Sequence, residues 1–178
     1  MKKVRQQVFE TNSSSSHSLT VASTGKILDT LGQDGIITLN SQEFGWGVEE
    51  YDDAQTKAEY VALLLLYVEQ TITRKSIESY KKQTLNWDGK PLQDWEYGYV
   101  NLSWWCDQNF KQCYTNFYEV LTEQTGCQIN FQANLDDGYI DHQSIESIDD
   151  FEILLDKEML RQFIFNPNST LEISNDNQ

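Results

Sequence analysis

The chain is short of cysteine, of basic residues and of long apolar runs, and each shortage excludes a class of protein. Its three cysteines are Cys106, Cys113 and Cys127. An odd number without CxxC spacing supports neither a disulfide framework nor a structural zinc site. The longest apolar run, Val61 to Leu66, is far too short to span the hydrocarbon core of a bilayer. Met1-Lys2-Lys3 leads into Val4-Arg5-Gln6-Gln7 without the apolar core of a signal peptide. These absences predict a soluble, cytoplasmic protein. Lys and Arg number 13 against 28 Asp and Glu, a formal charge of -15. Such a charge disfavours free nucleic acid, whose binding requires cations that displace its counterions. It favours a basic partner, because complementary potentials steer encounter. Solubility alone is the plainer explanation of the same charge.

What is present is enough to fold. The 178 residues are 39% hydrophobic and 12% aromatic, which suits one domain with its own core. No repeat, linker or low-complexity tract divides residues 1–178. Strands are expected over Val4 to Phe9, Leu19 to Ala22 and Gly35 to Leu39, the last entered through a glycine turn. Asp52 or Asp53 caps a helix whose apolar residues, Ala54, Ala58, Val61, Ala62, Leu65 and Val68, recur at helical spacing. Lys75 to Thr84 reads as a short exposed helix or turn, and Asn86 to Val100 as an irregular connection. A further helix is expected from about Asp107 to Thr125, with Phe110, Cys113, Tyr114, Phe117, Val120 and Leu121 on one face and Gly126 beyond its end. Alternation over Cys127, Ile129, Phe131 and Ala133 predicts a strand, and Tyr139-Ile140 another after the Asp136-Asp137-Gly138 turn. A last helix runs from Ser147 or Asp149 to about Phe163, stopped by Asn166-Pro167, and Leu171 to Ile173 adds an edge strand. The grouping of strands with helices between them predicts an α+β domain: a small, mostly antiparallel sheet packed on about three helices.

Chemistry concentrates in Glu10-Thr11-Asn12-Ser13-Ser14-Ser15-Ser16-His17-Ser18, where six of nine residues carry short hydroxyl side chains. Such residues bond their own backbone and favour turns, so a serine-rich turn between strands is one reading. The other is an oxyanion or phosphate cradle formed by Asn12, Ser13, Ser14, Ser15 and Ser16. His17 closes the segment, and His142 follows Asp141. Two imidazoles can serve as base and acid on one phosphodiester, and a neighbouring carboxylate can orient one of them. Two unrelated histidines are the alternative. Arg5 suits a phosphate, or an ion pair with Glu10, and Glu10 can itself act as base. The acids Glu49, Glu50, Asp52 and Asp53, or Asp136, Asp137 and Asp141, offer a rival Mg²⁺ chemistry. Their spacing fits no ligand pattern, and no metal or cofactor is expected. The stretch from Asp136 to Glu158, with nine acids and Lys157 alone against them, reads more naturally as a solvated face. Trp87, Trp95, Tyr97, Tyr99, Trp104 and Trp105 either stack on bases or pack in the core. Cys106 is a weak nucleophile candidate with no histidine near it in sequence.

The run from Arg5 to Ser18 resembles the N-terminal signature of a group of proteins carried by phages and mobile elements of Gram-positive bacteria. Asp141-His142-Gln143-Ser144 and the tail from Phe163 to Asn177 are similar to segments of the same group. Size and acidity also resemble type II-A anti-CRISPR proteins, some of which inactivate the guide RNA of the effector nuclease. This resemblance implies a basic partner, a CRISPR effector holding its guide RNA in a positive channel, with RNA reached only through that partner. Two functions follow as expectations. One is a metal-independent ribonuclease in which His17 and His142 exchange the proton, Arg5 and the Asn12–Ser16 loop hold the phosphate, and Glu10 orients or acts as base. The other is a non-enzymatic acidic mimic of nucleic acid that blocks the basic channel.

Overall fold

The computed structural model describes residues 2–5, 15–22, 27, 31–32, 34–45, 48–74, 94–140 and 148–175; at some of these, among them Arg5, Ser15 and Ser16, the backbone alone is described. Within them the architecture is α+β. Strands β1 (Lys2–Arg5), β2 (Ser15–Val21), β3 (Ile36–Leu39), β4 (Glu43–Phe44) and β5 (Glu49–Tyr51) precede helix α1 (Ala54–Arg74). Helix α2 (Asp94–Thr125), β6 (Gln128–Phe131), β7 (Tyr139–Ile140), a 3-10 helix (Ile148–Leu155), α3 (Lys157–Phe165) and β8 (Thr170–Asn175) follow.

The main sheet is antiparallel, in the order β1-β2-β8-β5, and two parallel pairs, β3-β6 and β4-β7, lie beside it. The last strand is therefore inserted between the early strands β2 and β5. The expected edge strand at Leu171 to Ile173 is an interior one: Leu19 pairs with Leu171 on one side and Tyr51 with Leu171 on the other. Leu171 and Ile173 are fully buried, and that burial favours pairing on both edges over an exposed margin.

Helix α1 starts as expected, with the Asp53 carboxylate accepting from the Thr56 N–H at 2.8 Å, the usual cap of an orphan donor. It lies at the centre of the core. From Lys57 to Leu65 no side chain is appreciably exposed, so both sides of the helix are covered. Tyr67 fastens its second half to β7, its hydroxyl donating to the Ile140 carbonyl at 3.0 Å.

Helix α2 corrects the expectation over residues 94–106: the helix begins at Asp94, not near Asp107. Gly98 and the aromatics there are weak helix formers, and packing prevails over propensity, with Leu102, Trp105 and Cys106 buried and Trp105 stacked obliquely on Phe151. Residues 75–93, with Trp87 among them, lie outside the described residues. The C-terminus of α2 is as expected: Gly126 takes φ 69° and its N–H donates to the Thr122 carbonyl at 2.8 Å, a left-handed cap that glycine adopts without strain. The single helix expected to end near Phe163 is two elements, because the Asp156 side chain accepts from Met159 N–H and starts α3 afresh after the 3-10 turns. No helix among the described residues is long and apolar enough to cross a membrane.

Candidate functional site

The serine-rich segment divides at Ser15. Residues 6–14, which include Glu10, Asn12, Ser13 and Ser14, lie outside the described residues, as do Asp141 and His142. Ser15, Ser16, His17 and Ser18 belong to β2, pairing with Asn175, Ser174, Ile173 and Glu172 of β8. The second half of the segment is thus sheet. Arg5 stands opposite Ser18 on β1.

Side chains alternate across a strand, so His17 shares a face with Leu19 and Val21, and that face is the core. His17 is 1% exposed. Its Nδ1 lies 3.3 Å from the Tyr60 hydroxyl, and the two rings sit 5.8 Å apart at a tilt of 44°. Tyr60 in turn packs edge-on against Phe44. A ring enclosed in this way holds β2 to α1. The period His17-Leu19-Val21 carries this signal in the sequence, beneath the polarity of the serines around it. Truncating the ring is therefore a stability experiment: His17→Ala is expected to lower the unfolding free energy by about 2–4 kcal/mol, read as an earlier urea midpoint.

Two more polar groups of α1 are buried, on opposite sides of the helix, as residues two apart must be. The Lys57 ammonium donates to the carbonyls of Asn166 and Ser169 at 3.0 and 2.9 Å and lies over the Phe163 ring at 5.9 Å. Burial pulls its amine down to about 8, against the upward pull of Asp52 and Asp53. The Ser169 hydroxyl accepts from Ala22 N–H at 3.0 Å and donates to the Gln162 carbonyl at 2.7 Å, so one knot joins α1, α3 and the ends of β2 and β8. On the other side, Glu59 accepts from the Asn40 backbone N–H at 3.0 Å, from Gln55 at 2.7 Å and from the Gln42 amide. Both knots are satisfied from within the fold and point no group at an open cleft.

Among the described residues, no three His, Cys, Asp or Glu converge on a point that could hold a metal ion. Cys106 and Cys113 are wholly buried, and burial pushes the Cys106 thiol up to about 12, far from the thiolate a nucleophile requires.

A concave surface among the described residues lies elsewhere. A groove of about 430 Å³ opens between α1, α2 and the end of β6. Leu65, Leu66 and Glu69 come from α1, Phe110, Tyr114 and Tyr118 from α2, and Phe131 and Ala133 from the strand and its exit. Tyr114, expected on the buried face of its helix, is 43% exposed. Its ring stacks on Tyr118 with centroids 4.4 Å apart. Phe110, Tyr114 and Tyr118 recur every fourth residue beside the truly buried row of Cys113, Phe117, Val120 and Leu121, and this second row was the sequence signal for the groove. Burial, and then the hydrogen bond to Tyr114, push the Tyr118 phenol up, so its hydroxyl stays neutral.

The described surface is acidic. Asp34, Glu43, Glu50, Asp52, Asp53, Glu69, Asp107, Glu119, Glu123, Asp136, Asp137, Glu152, Asp156 and Glu158 are exposed, whereas Lys111 is the one exposed basic residue among the described side chains. Lys57 is buried, and Lys157 and Arg161 are taken up by Glu119, Glu123 and Glu158 at 2.6–3.1 Å.

No protein-family model, curated protein or solved structure matches the chain.

Proposed function

We propose that this protein acts by binding: it docks its acidic surface on a strongly basic nucleoprotein and covers the channel that holds nucleic acid. The observation that supports this reading is the acidic surface: among the described side chains many acids stand exposed, and the four cations are buried (Lys57), paired (Lys157, Arg161) or outnumbered (Lys111). A surface of that kind speeds encounter with a positive channel and repels free nucleic acid. The resemblance of residues 5–18 to mobile-element proteins makes a type II CRISPR effector loaded with guide RNA the partner to test first. The ribonuclease reading draws less support, because it requires His17 to meet a phosphate and His17 is enclosed against Tyr60.

The test combines binding and cleavage. The protein is titrated onto the loaded effector at rising salt, and end-labelled guide RNA is followed in the same reactions, with wild type, His17→Gln and His142→Ala, each with and without EDTA. Binding that weakens steeply with salt, over RNA of unchanged length, is the expected result. RNA shortened by wild type and spared by His142→Ala would return the chemistry to the histidines. Absence of binding at low salt would reject the docking reading.

A further inference from the structure

Resting on the docking reading, we infer that the outer edge of β5 takes up an extended basic segment of the partner as a further antiparallel strand of the main sheet. Strand β5 ends the order β1-β2-β8-β5 and pairs with β8 alone among the described strands. Such a margin carries backbone N–H and C=O groups turned away from β8, and an extended peptide satisfies them by strand addition. The run from Val48 to Asp53 supplies the selectivity, since four of its six residues are acids and none is basic. Two of the four are engaged within the fold: Glu49 accepts from the Tyr51 hydroxyl at 2.8 Å, and Asp53 caps α1 through the Thr56 N–H. Asp52 is exposed and acts on Lys57 through space. Glu50 is exposed, and no hydrogen bond or ion pair engages its carboxylate among the described residues.

Strand register gives Glu50 its role. It stands directly opposite Glu172 of β8, and like charges placed opposite one another disfavour the pairing. A residue of an added strand opposite Glu50 lies on the same face, with its Cβ about 5 Å away. A lysine or arginine at that position meets the exposed carboxylate and offsets the repulsion. Val48, just before the strand, is 69% exposed and offers the stem of such a side chain an apolar neighbour. Other occupants fit less well. A second copy of β5, or any acidic strand, sets carboxylates against Glu50 and Asp52, which is how charged edges reject unwanted strands. A neutral strand leaves the repulsion between Glu50 and Glu172 in place, and a nucleic acid adds to it. The stretch from Val48 to Asp52 runs roughly 13 Å at the rise of a strand, so a six-residue segment covers it.

A hexapeptide of alternating lysine and valine, with blocked termini, is the probe. Its counterpart carries N-methyl groups on the four central amides, which keep the charge and remove the strand pairing. Binding to the full chain is measured at low salt by calorimetry, and its location by hydrogen exchange of the Glu49, Glu50 and Tyr51 amides. The peptide is expected to protect those of the three amides that face away from β8, and N-methylation to weaken binding about tenfold. Glu50→Lys is expected to weaken it about tenfold and Glu50→Gln about threefold. Asp107→Lys, which changes the net charge equally at an exposed position of α2, is expected to weaken it by less than about twofold. Equal binding of the methylated peptide, equal losses in Glu50→Lys and Asp107→Lys, or amides left unprotected would each overturn the inference. So would a dimer in sedimentation whose β5 amides are already protected, since the edge would then belong to a second copy. If the hexapeptide fails but the loaded effector still binds, the edge assignment alone falls; if neither binds, both fall.

Discussion

Lys57→Ala is expected to lower the unfolding free energy by about 2–4 kcal/mol, through a cavity in the core and the loss of two carbonyl contacts. The side chain is wholly enclosed, and its ammonium is held by the last carbonyls of α3 and the loop before β8. Lys57→Met keeps most of the stem and is expected to cost less than half as much. The pH dependence separates charge from packing. Burial holds the folded amine near 8, below the ordinary lysine value of 10.5. Between those two values the unfolded chain binds the proton that the folded chain has released, so the Lys57 contribution to stability grows as pH rises. It is fully present above 10.5 and is lost as pH falls through about 8. Urea midpoints at pH 7.5 and pH 10 should therefore differ more favourably for wild type than for Lys57→Met. Equal slopes in the two proteins would show that the ammonium is not held in a desolvated site.

On the opposite side of α1, Glu59→Gln is expected to cost about 1–3 kcal/mol, and Glu59→Ala at least as much. The carboxylate accepts from Asn40, Gln42 and Gln55 and donates nothing. An amide replaces one acceptor oxygen by an NH₂ that faces other donors, so isosteric shape does not rescue it. Wild-type denaturation midpoints for Glu59→Gln would mean that these donors find other acceptors. Because Glu59 lies far around the helix from Lys57, the two losses are expected to add in the double variant, as for sites that share no partner.

Local signals read well along the chain. Asp53 as a cap, Gly126 as a helix terminator, the 3.6-residue row of α1 and the alternation from Cys127 to Ala133 all appear where the side-chain chemistry requires them. Each of these signals acts within a few residues, so the sequence alone carries it. The start of α2 is not legible locally, because its first turns carry weak helix formers such as Gly98, whereas the same helix is packed further on through Trp105 against Phe151 of the 3-10 helix. The interior place of β8 is not legible for a similar reason: whether a strand sits at an edge or inside depends on which other strands reach it, and β8 is placed between β2 and β5, from the other end of the chain.

The candidate site shows the same division. Composition determined that the surface would be acidic, since 28 acids cannot be buried beside 13 bases, and charged groups stay in water unless paired. Polarity also marked residues 10–18 as unusual, and a histidine among serines suggested an exposed reactive loop. Only the tertiary structure decided which way His17 faces. Strand register turned it inward with Leu19 and Val21 and placed it against Tyr60, forty-three residues away. The same packing turned Tyr114 outward into a groove. In both cases one residue of rotation or register separates core from solvent, and that choice is made by the surfaces which the rest of the fold brings alongside.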